Sequence, residues 1–423
     1  MSGKLLRRIQ VEGISDSRAR GRDLESEEGA ARIIADVALR GARAVREWSE
    51  KMGELEAGES LVLGRGDLEA ALARLDRRQR GVLERAVERV TAFAAAQRAA
   101  LVDLDVAVPG GRAGHTFVPV SRAGCYVPGG RFPLPSSAVM TVCAARAAGV
   151  QTVWCAGPKP ALPTLAAAAL AGADGFLAAG GAQGIAALAY GAGVPACDVI
   201  VGPGGRYPAA AKRLLFGIVG TEAPAGPSEL LVIAGAGADA ETAAADLLAQ
   251  AEHDVAATPA VVSLDPTFSA ELDEALERRL ADLPEPNRST AAAALSKGWM
   301  IEARSREEAV AAADRFAPEH LELLVEDPRS WAASIRNAGA IFLGSGSAEV
   351  FGDYGAGPNH CLPTGGAARF AAGLSVLAFL RARTWLEMDS PEELAGEAAA
   401  LARIEGLEAH ARAAERRGSR APD

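Results

Sequence analysis

Histidine is scarce in this chain, five among 423 residues: His115, His253, His320, His360 and His410. An imidazole exchanges protons near neutral pH or ligates a metal. His253 stands three residues after Gln250 in "DLLAQAEHDVAA". Ala and Leu there predict a helix, on which Gln250 and His253 share a face and Glu252 does not. His320 follows Glu319 in "FAPEHLEL", His360 follows Asp353 in "GDYGAGPNH", and His410 follows Glu405 in "EGLEAH". Any one such pair is more often a solvated or satisfied pair than a site. Four together in a His-poor chain point to one shared polar site. Neutral imidazole and carboxylate oxygen suit zinc, which takes four ligands in tetrahedral geometry. No HExxH is present, so a metalloprotease has no direct support. His115, in the strand-like "GRAGHTFVPV", reads as structural.

The elements that must position these residues follow from periodicity. From Glu27 to about Ala100, apolar residues recur at three and four with charges between, which predicts helices. A Gly/Pro-rich stretch follows. Then "VQTVWCAGP", "GADGFLAAGG" and "CDVIVGPGG" are short apolar runs ending in glycine, separated by "LPTLAAAALAG" and "GAQGIAALAYG". Strand, helix, strand, helix, strand is the pattern of a parallel sheet covered on both faces. Ligands on such sheets bind beyond the carboxyl ends of the strands, where these glycines sit. "SELLVIAG", "TPAVVSLD", "GWMIEARS" and "GAIFLGSG" make a second α/β region, and from Ala371 onward the pattern reads as helical. "GAGADA" at Gly235 to Ala240 matches a dinucleotide fingerprint, but no strand ending in an acidic residue follows at the usual distance. The glycine clusters of "GGAQGIAALAYG" and "VGPGG" are the stronger cofactor candidates.

Composition narrows the function classes. Hydrophobic residues make up 49% and charged residues 23%, as in globular chains of two or three domains. A net charge of -10 gains nothing from phosphate counterion release, so nucleic acid is not an expected partner. The basic "ARAAERRGSRAPD" is short and reads as a frayed tail. The five cysteines are scattered and odd in number, without CxxC, which argues against a disulfide framework or a thiolate zinc site. "MSGKLLRRIQVEG" lacks a long apolar segment, and the uncharged stretch near Ala161 is too rich in Ala, Gly and Pro for a membrane span. A cytoplasmic protein without membrane contact is the expectation.

Nearly the whole chain, from about Glu27 to His410, resembles histidinol dehydrogenase. The resemblance is carried, in order, by "CYVPGGRFPLPSS", "GGAQGIAALAYG", "VIVGPGG", "PAGPSE", "DLLAQAEHD", "APEHLEL", "GDYGAGPNHCLPTGGAARFAAGLSV" and "EGLEAH". It implies oxidation of L-histidinol through the aldehyde to L-histidine with two NAD, in histidine biosynthesis. It also implies zinc, one per subunit, and a homodimer whose sites draw on both subunits. Gln250, His253, Asp353 and His410 become the zinc ligands, and Glu319 and His320 the acid/base pair. Ser228, His360 and Glu405 fall at substrate-contacting positions, together with Gln250, His253, His320, Asp353 and His410. Tyr126, Gln183 and Gly205 fall on the NAD side, and Glu405 and His410 come from the partner chain.

The expected architecture is α/β, with two Rossmann-like parallel-sheet domains and helical extensions at both ends. Residues 1–26 form the N-terminal extension. Residues 27–125 with 229–370 form the domain of the zinc and acid/base residues, and 126–228 the NAD side. Residues 371–423 form a helical extension reaching the partner subunit. His320, a base of near-neutral pKa, is expected to take the alcohol proton, and Glu319 the proton of the water added to the aldehyde. A helix start or turn at Pro318 would let both point into one cavity. Three departures from the family stand out. Gly205 replaces the usual Asn after "GPG", a loss on the order of 1 kcal/mol in one hydrogen bond. Pro208 is unexpected but tolerable at a helix start, and Glu222 stands where Asp is usual. The alternatives are a zinc/NAD enzyme acting on another small polar alcohol such as a sulfonated diol, a zinc hydrolase, and an inactive homologue.

Overall fold

The short apolar runs ending in glycine form parallel strands. The computed structural model describes residues 5–14, 23–129, 132–222 and 226–419. The expected extension 1–26 lies partly outside these residues. So do the end of the basic tail and parts of "CYVPGGRFPLPSS" and "PAGPSE". The first sheet has six strands in the order 62–64, 175–177, 152–156, 122–126, 199–201, 220–221. All pair in parallel except the edge strand Val62–Gly64. One face is covered by helices Arg65–Arg74, Arg77–Ala99, Pro135–Ala148 and Leu162–Ala171. The other is covered by Leu24–Arg40, Ala42–Lys51, Gly181–Tyr190 and Arg206–Leu215. Burial on both faces is why these strands read as unbroken apolar runs rather than as alternation. Fully buried side chains such as Leu188 and Ile200 each contribute about 1.5–3 kcal/mol to this core.

The second sheet is parallel throughout, in the order 7–8, 299–302, 258–263, 229–234, 320–324, 340–343. Helices Ala240–Ala251, Pro266–Asp282 and Asn287–Leu295 cover one face and Arg306–Phe316 the other. The expected α/β class, with two doubly wound sheets, holds. All five cysteines are free and buried, and burial pushes the thiols of Cys143, Cys155 and Cys197 up. Among the described residues, no helix is long and apolar enough to cross a membrane.

The division of the chain differs from the expected one in three places. Residues 104–119 join a C-terminal strand in a third sheet, while 27–99 and 122–125 group with 126–228, not with 229–370. Their helices pack on the first sheet, and Val62–Gly64 and Arg122–Tyr126 are strands of it. The N-terminal segment is no separate extension, because Arg7 and Arg8 pair with Trp299 and Met300 at the edge of the second sheet. The C-terminal segment is not all helix. Leu380–Met388 is a nine-residue strand pairing with Gly111–Pro119, which in turn pairs with Leu104–Val108. Helices Glu392–Ile404 and Glu408–Gly418 follow, joined by Arg403, which bonds to Glu408 and Glu415.

Candidate active site

Two backbone groups of one residue organise Glu319 and His320, the expected acid/base pair. Glu229 opens the strand Glu229–Ala234, whose Leu230 lies opposite His320. The Glu229 N–H donates to Glu319 Oε2 at 3.0 Å, and its carbonyl faces His320 Nδ1 at 3.2 Å. A carbonyl only accepts, so Nδ1 carries the hydrogen and Nε2 is left with a lone pair. Of the two expected alternatives at Pro318, a helix start or a turn, no helix starts there and the chain turns. Helix Arg306–Phe316 ends in left-handed Ala317 (φ 52°), and His320 begins the strand His320–Leu324. At this strand entrance the chain is not yet regular, so neighbouring residues both reach the cavity. Burial pushes the Glu319 carboxyl well up, and Glu229 and Asp353 add to it. Burial also lowers His320 to about 4, below the near-neutral value expected of it, against the pull of Asp353. A neutral imidazole is the favoured form.

The helix Ala240–Ala251 delivers Gln250, which is 1% exposed. It stops before His253, so the predicted helix is shorter than expected. Asp254 Oδ1 accepts from Ala256 N–H at 2.7 Å, giving the backbone a turn in place of another helical bond. His253 N–H still bonds to the Gln250 carbonyl at 3.4 Å, which keeps both residues on one side. Glu252 faces elsewhere and accepts from Asn287 Nδ2 at 2.7 Å. Asp353, at the end of the short helix Glu349–Asp353, meets three imidazoles. Its carboxylate lies 3.8 Å from His253 Nε2, 4.0 Å from His320 Nε2 and 3.8 Å from His360 Nδ1. His360 Nδ1 also meets the Asp353 carbonyl at 3.1 Å, and burial lowers its pKa.

These side chains surround a cavity of about 170 Å³. Ser228, Gln250, His253, Glu319, His320, Asp353 and His360 all line it, with Pro128, Pro203 and Glu222 opposite. The first sheet presents the carboxyl ends of its strands here, as expected. The second presents its amino ends: Ser228, Glu319 and His320 sit where strands begin. "GAGADA" therefore lies at the far end of that sheet, and Asp239 caps the helix it feeds through Glu241 and Thr242 N–H. His115 sits mid-strand in edge contact with Phe117, away from the cavity. Glu405 and His410 are exposed on the C-terminal helices and do not line the cavity in this chain.

On the first-sheet side, Tyr126 and Gln183 are buried at the start of helix Gly181–Tyr190. Gly202 (φ 115°) lets the chain pass against Tyr126, where a Cβ would stand 2.0 Å from the Tyr126 carbonyl. Gly205 caps helix Arg206–Leu215 with open space around it, so a side chain there meets no clash. Pro208 falls in the first turn of that helix, where a missing N–H costs nothing. Glu222 accepts from Gly202 N–H at 3.0 Å and from the buried Lys212 at 2.5 Å.

Glu349 is the residue that sequence reasoning missed. It is fully buried, 3.7 Å from His320 Nδ1. With its nitrogen turned toward Glu349, the Gln250 amide donates to both carboxylate oxygens at 2.6 Å. The reverse orientation would set acceptor against acceptor, so Gln250 Oε1 is the atom left for a ligand. Atoms of His253, Glu349 and Asp353 lie within 4.8 Å of one another, close enough to share one ion. The donor set, imidazole with carboxylate and amide oxygen, fits zinc.

Beneath this cluster, Glu322 Oε1 accepts from Glu349 N–H at 2.9 Å. Burial, then the Asp246 carboxyl beside it, raises the Glu322 pKa to about 8. For a raised carboxyl the stabilisation is complete below the unfolded pKa, near 4.5, and is lost as pH rises through about 8. Glu322→Gln, which cannot ionise, is therefore expected to gain at least about 1 kcal/mol over the native chain near pH 8.5 relative to pH 5.5. Denaturant melts of chelator-treated protein at both pH values measure it, and an unchanged difference would refute it.

The comparisons with known proteins agree along the chain. A family model, histidinol dehydrogenase, matches residues 17–418. Histidinol dehydrogenase of Cupriavidus pinatubonensis is 42% identical over 413 residues, covering 95% of this chain and 92% of its own. That of Thermus thermophilus is 47% identical over 342 residues, covering 80% and 82%. The crystal structure of histidinol dehydrogenase from Elizabethkingia anophelis aligns with a TM-score of 0.88 at 29% identity, covering 98% of this chain and 94% of that one. The match spans the residues that line the cavity, and the chain belongs to the histidinol dehydrogenase family.

Proposed function

We propose that this protein oxidises L-histidinol to L-histidine in two steps, reducing two NAD, with zinc in the cavity. The observation that carries the reading is the pair of bonds from Glu229 to Glu319 and His320 beside Gln250, His253 and Asp353. In the first oxidation His320 Nε2 takes the hydroxyl proton as hydride leaves the alcohol carbon. In the second, Glu319 takes a proton from the water that adds to the aldehyde, and the hydrate loses the second hydride. Burial and the neighbouring Glu229 and Asp353 raise the proton affinity of Glu319, which strengthens its carboxylate as a proton acceptor. Ser228 and His360 line the cavity within reach of the substrate's polar groups.

Gln250, His253 and Asp353 would hold zinc, with the partner subunit's His410 as the fourth ligand. Zinc when bound supplies a template orienting the substrate's amine and imidazole. Tyr126, Gln183 and Gly205 mark the NAD side, and NAD supplies the hydride acceptor. A homodimer fits the exposed apolar residues Leu401 and Ile404, which stand beside Glu405 on the C-terminal helices. A cytoplasmic location belongs to the same reading, supported by the biosynthetic family alone.

NADH formation from L-histidinol, followed with and without a chelator, tests the reading. Turnover is expected, with loss on chelation and recovery on adding zinc. Saturation only by a non-imidazole alcohol in a panel of small alcohols would overturn the choice of substrate.

A further inference from the structure

In a dinucleotide-binding fold, a helix start at a strand's carboxyl end ordinarily offers free N–H groups and a positive dipole end to the cofactor's pyrophosphate. At helix Gly181–Tyr190 the first two of these N–H groups are already used. Gly180 N–H donates to Glu54 Oε2 at 2.8 Å, and Gly181 N–H donates to the Tyr126 hydroxyl at 3.1 Å. The same Glu54 oxygen accepts from Gln183 Nε2 at 2.9 Å. Glu54 comes from outside this strand–helix unit, from the loop between Ala42–Lys51 and Val62–Gly64. It brings the helix end a carboxyl whose pKa burial raises, while the Gly180 and Gln183 bonds, Lys159 and the helix dipole favour its ionised form.

The bond to Gln183 has a second effect. Gln183 is 1% exposed, so its amide has little room to turn. With the nitrogen committed to Glu54, the carbonyl oxygen remains as an acceptor. A Cβ on Gly181 would stand 2.7 Å from that oxygen, and Gly181 has φ 52°, so the position is reserved for glycine. A cavity of about 450 Å³ adjoins, lined by Glu54, Val127, Pro128, Lys159 and Thr164.

We propose that Glu54 is a positioning residue of the cofactor site. It holds the Gln183 carbonyl ready for a hydrogen-bond donor of the dinucleotide, a ribose hydroxyl or the carboxamide, and it keeps pyrophosphate away from this helix end. The proposal rests on the NAD reading above.

Calorimetric titration of the zinc-loaded enzyme with NAD and, separately, with inorganic pyrophosphate tests it. The native enzyme is expected to bind NAD and not pyrophosphate. In Glu54→Ala the NAD Kd is expected to rise on the order of tenfold, because an oriented hydrogen bond is lost. Pyrophosphate binding is expected to appear. Glu54→Gln is expected to stay within about twofold for NAD, since one amide oxygen still accepts from both Gly180 and Gln183. In steady state the KM for NAD should rise in Glu54→Ala while the KM for the alcohol holds. In a Gln183→Ala background, removing Glu54 should cost nothing further in NAD affinity. If Glu54→Ala does not fold, Glu54→Ser takes its place with the same thresholds.

An unchanged NAD Kd in the folded variant overturns the proposal, as does a loss in Glu54→Gln equal to that in Glu54→Ala. Pyrophosphate binding to the native enzyme in competition with NAD overturns the exclusion. A native enzyme that binds no NAD overturns the functional reading itself, which a failure confined to the Glu54 variants leaves standing.

Discussion

Replacing His320 by Asn is expected to lower kcat for L-histidinol by a factor on the order of 10²–10⁴, the usual worth of a positioned general base. Asparagine keeps a donor for the Glu229 carbonyl, so the local backbone pairing survives and the loss falls on proton transfer. His320 is the apt base because its Nδ1 hydrogen is committed to that carbonyl at 3.2 Å, leaving Nε2 to face the cavity. Burial holds the imidazole at about 4, so it is neutral throughout the neutral range. The zinc content of the variant should match the native enzyme, since His320 is not in the proposed ligand set. Steady-state kinetics beside metal analysis check this. A kcat within about tenfold of native would move the base elsewhere, because positioned bases rarely contribute so little.

The site was legible where chemistry is encoded in residue type. Histidine beside carboxylate or amide marked four pairs; Gln250, His253, Glu319, His320, Asp353 and His360 line one cavity, while Glu405 and His410 do not line it in this chain. Glu349 went unread. It sits in "SAEVFGDYG" one helical turn before Asp353 with no histidine beside it, and its contacts with Gln250 and His320 come from across the fold. Contacts between strands and helices far apart in sequence leave no local pattern. The strand Leu380–Met388 did carry a signal that was read with the wrong period. Leu380, Ala382, Thr384, Leu386 and Met388 alternate with Arg381, Arg383, Trp385 and Glu387, which is period two. The placement of 27–99 had no such signal. Amphipathic helices declare that they have a buried face but not which sheet they cover.

Removing the His253 imidazole separates the metal site from its surroundings. His253→Asn is expected to cut zinc affinity at least about 100-fold, because one of few protein donors is lost and an amide is a far poorer one. Activity should fall with metal content and recover in part at high zinc. The matched control is Glu252→Gln, one residue away. Glu252 turns from the cavity to Asn287 Nδ2, and a glutamine oxygen still accepts that bond. Its zinc affinity should stay within about threefold of native, with a stability change of no more than about 1 kcal/mol. The two adjacent positions differ because the helix ends at Ala251 and the turn set by Asp254 carries His253, not Glu252, to Asp353. Zinc titration against a competing chelator, run on both variants, reads the contrast directly. Equal losses would mean that the turn as a whole, not the imidazole, holds the metal. No loss in His253→Asn would leave Gln250 and Asp353 as this chain's ligands and remove His253 from the set.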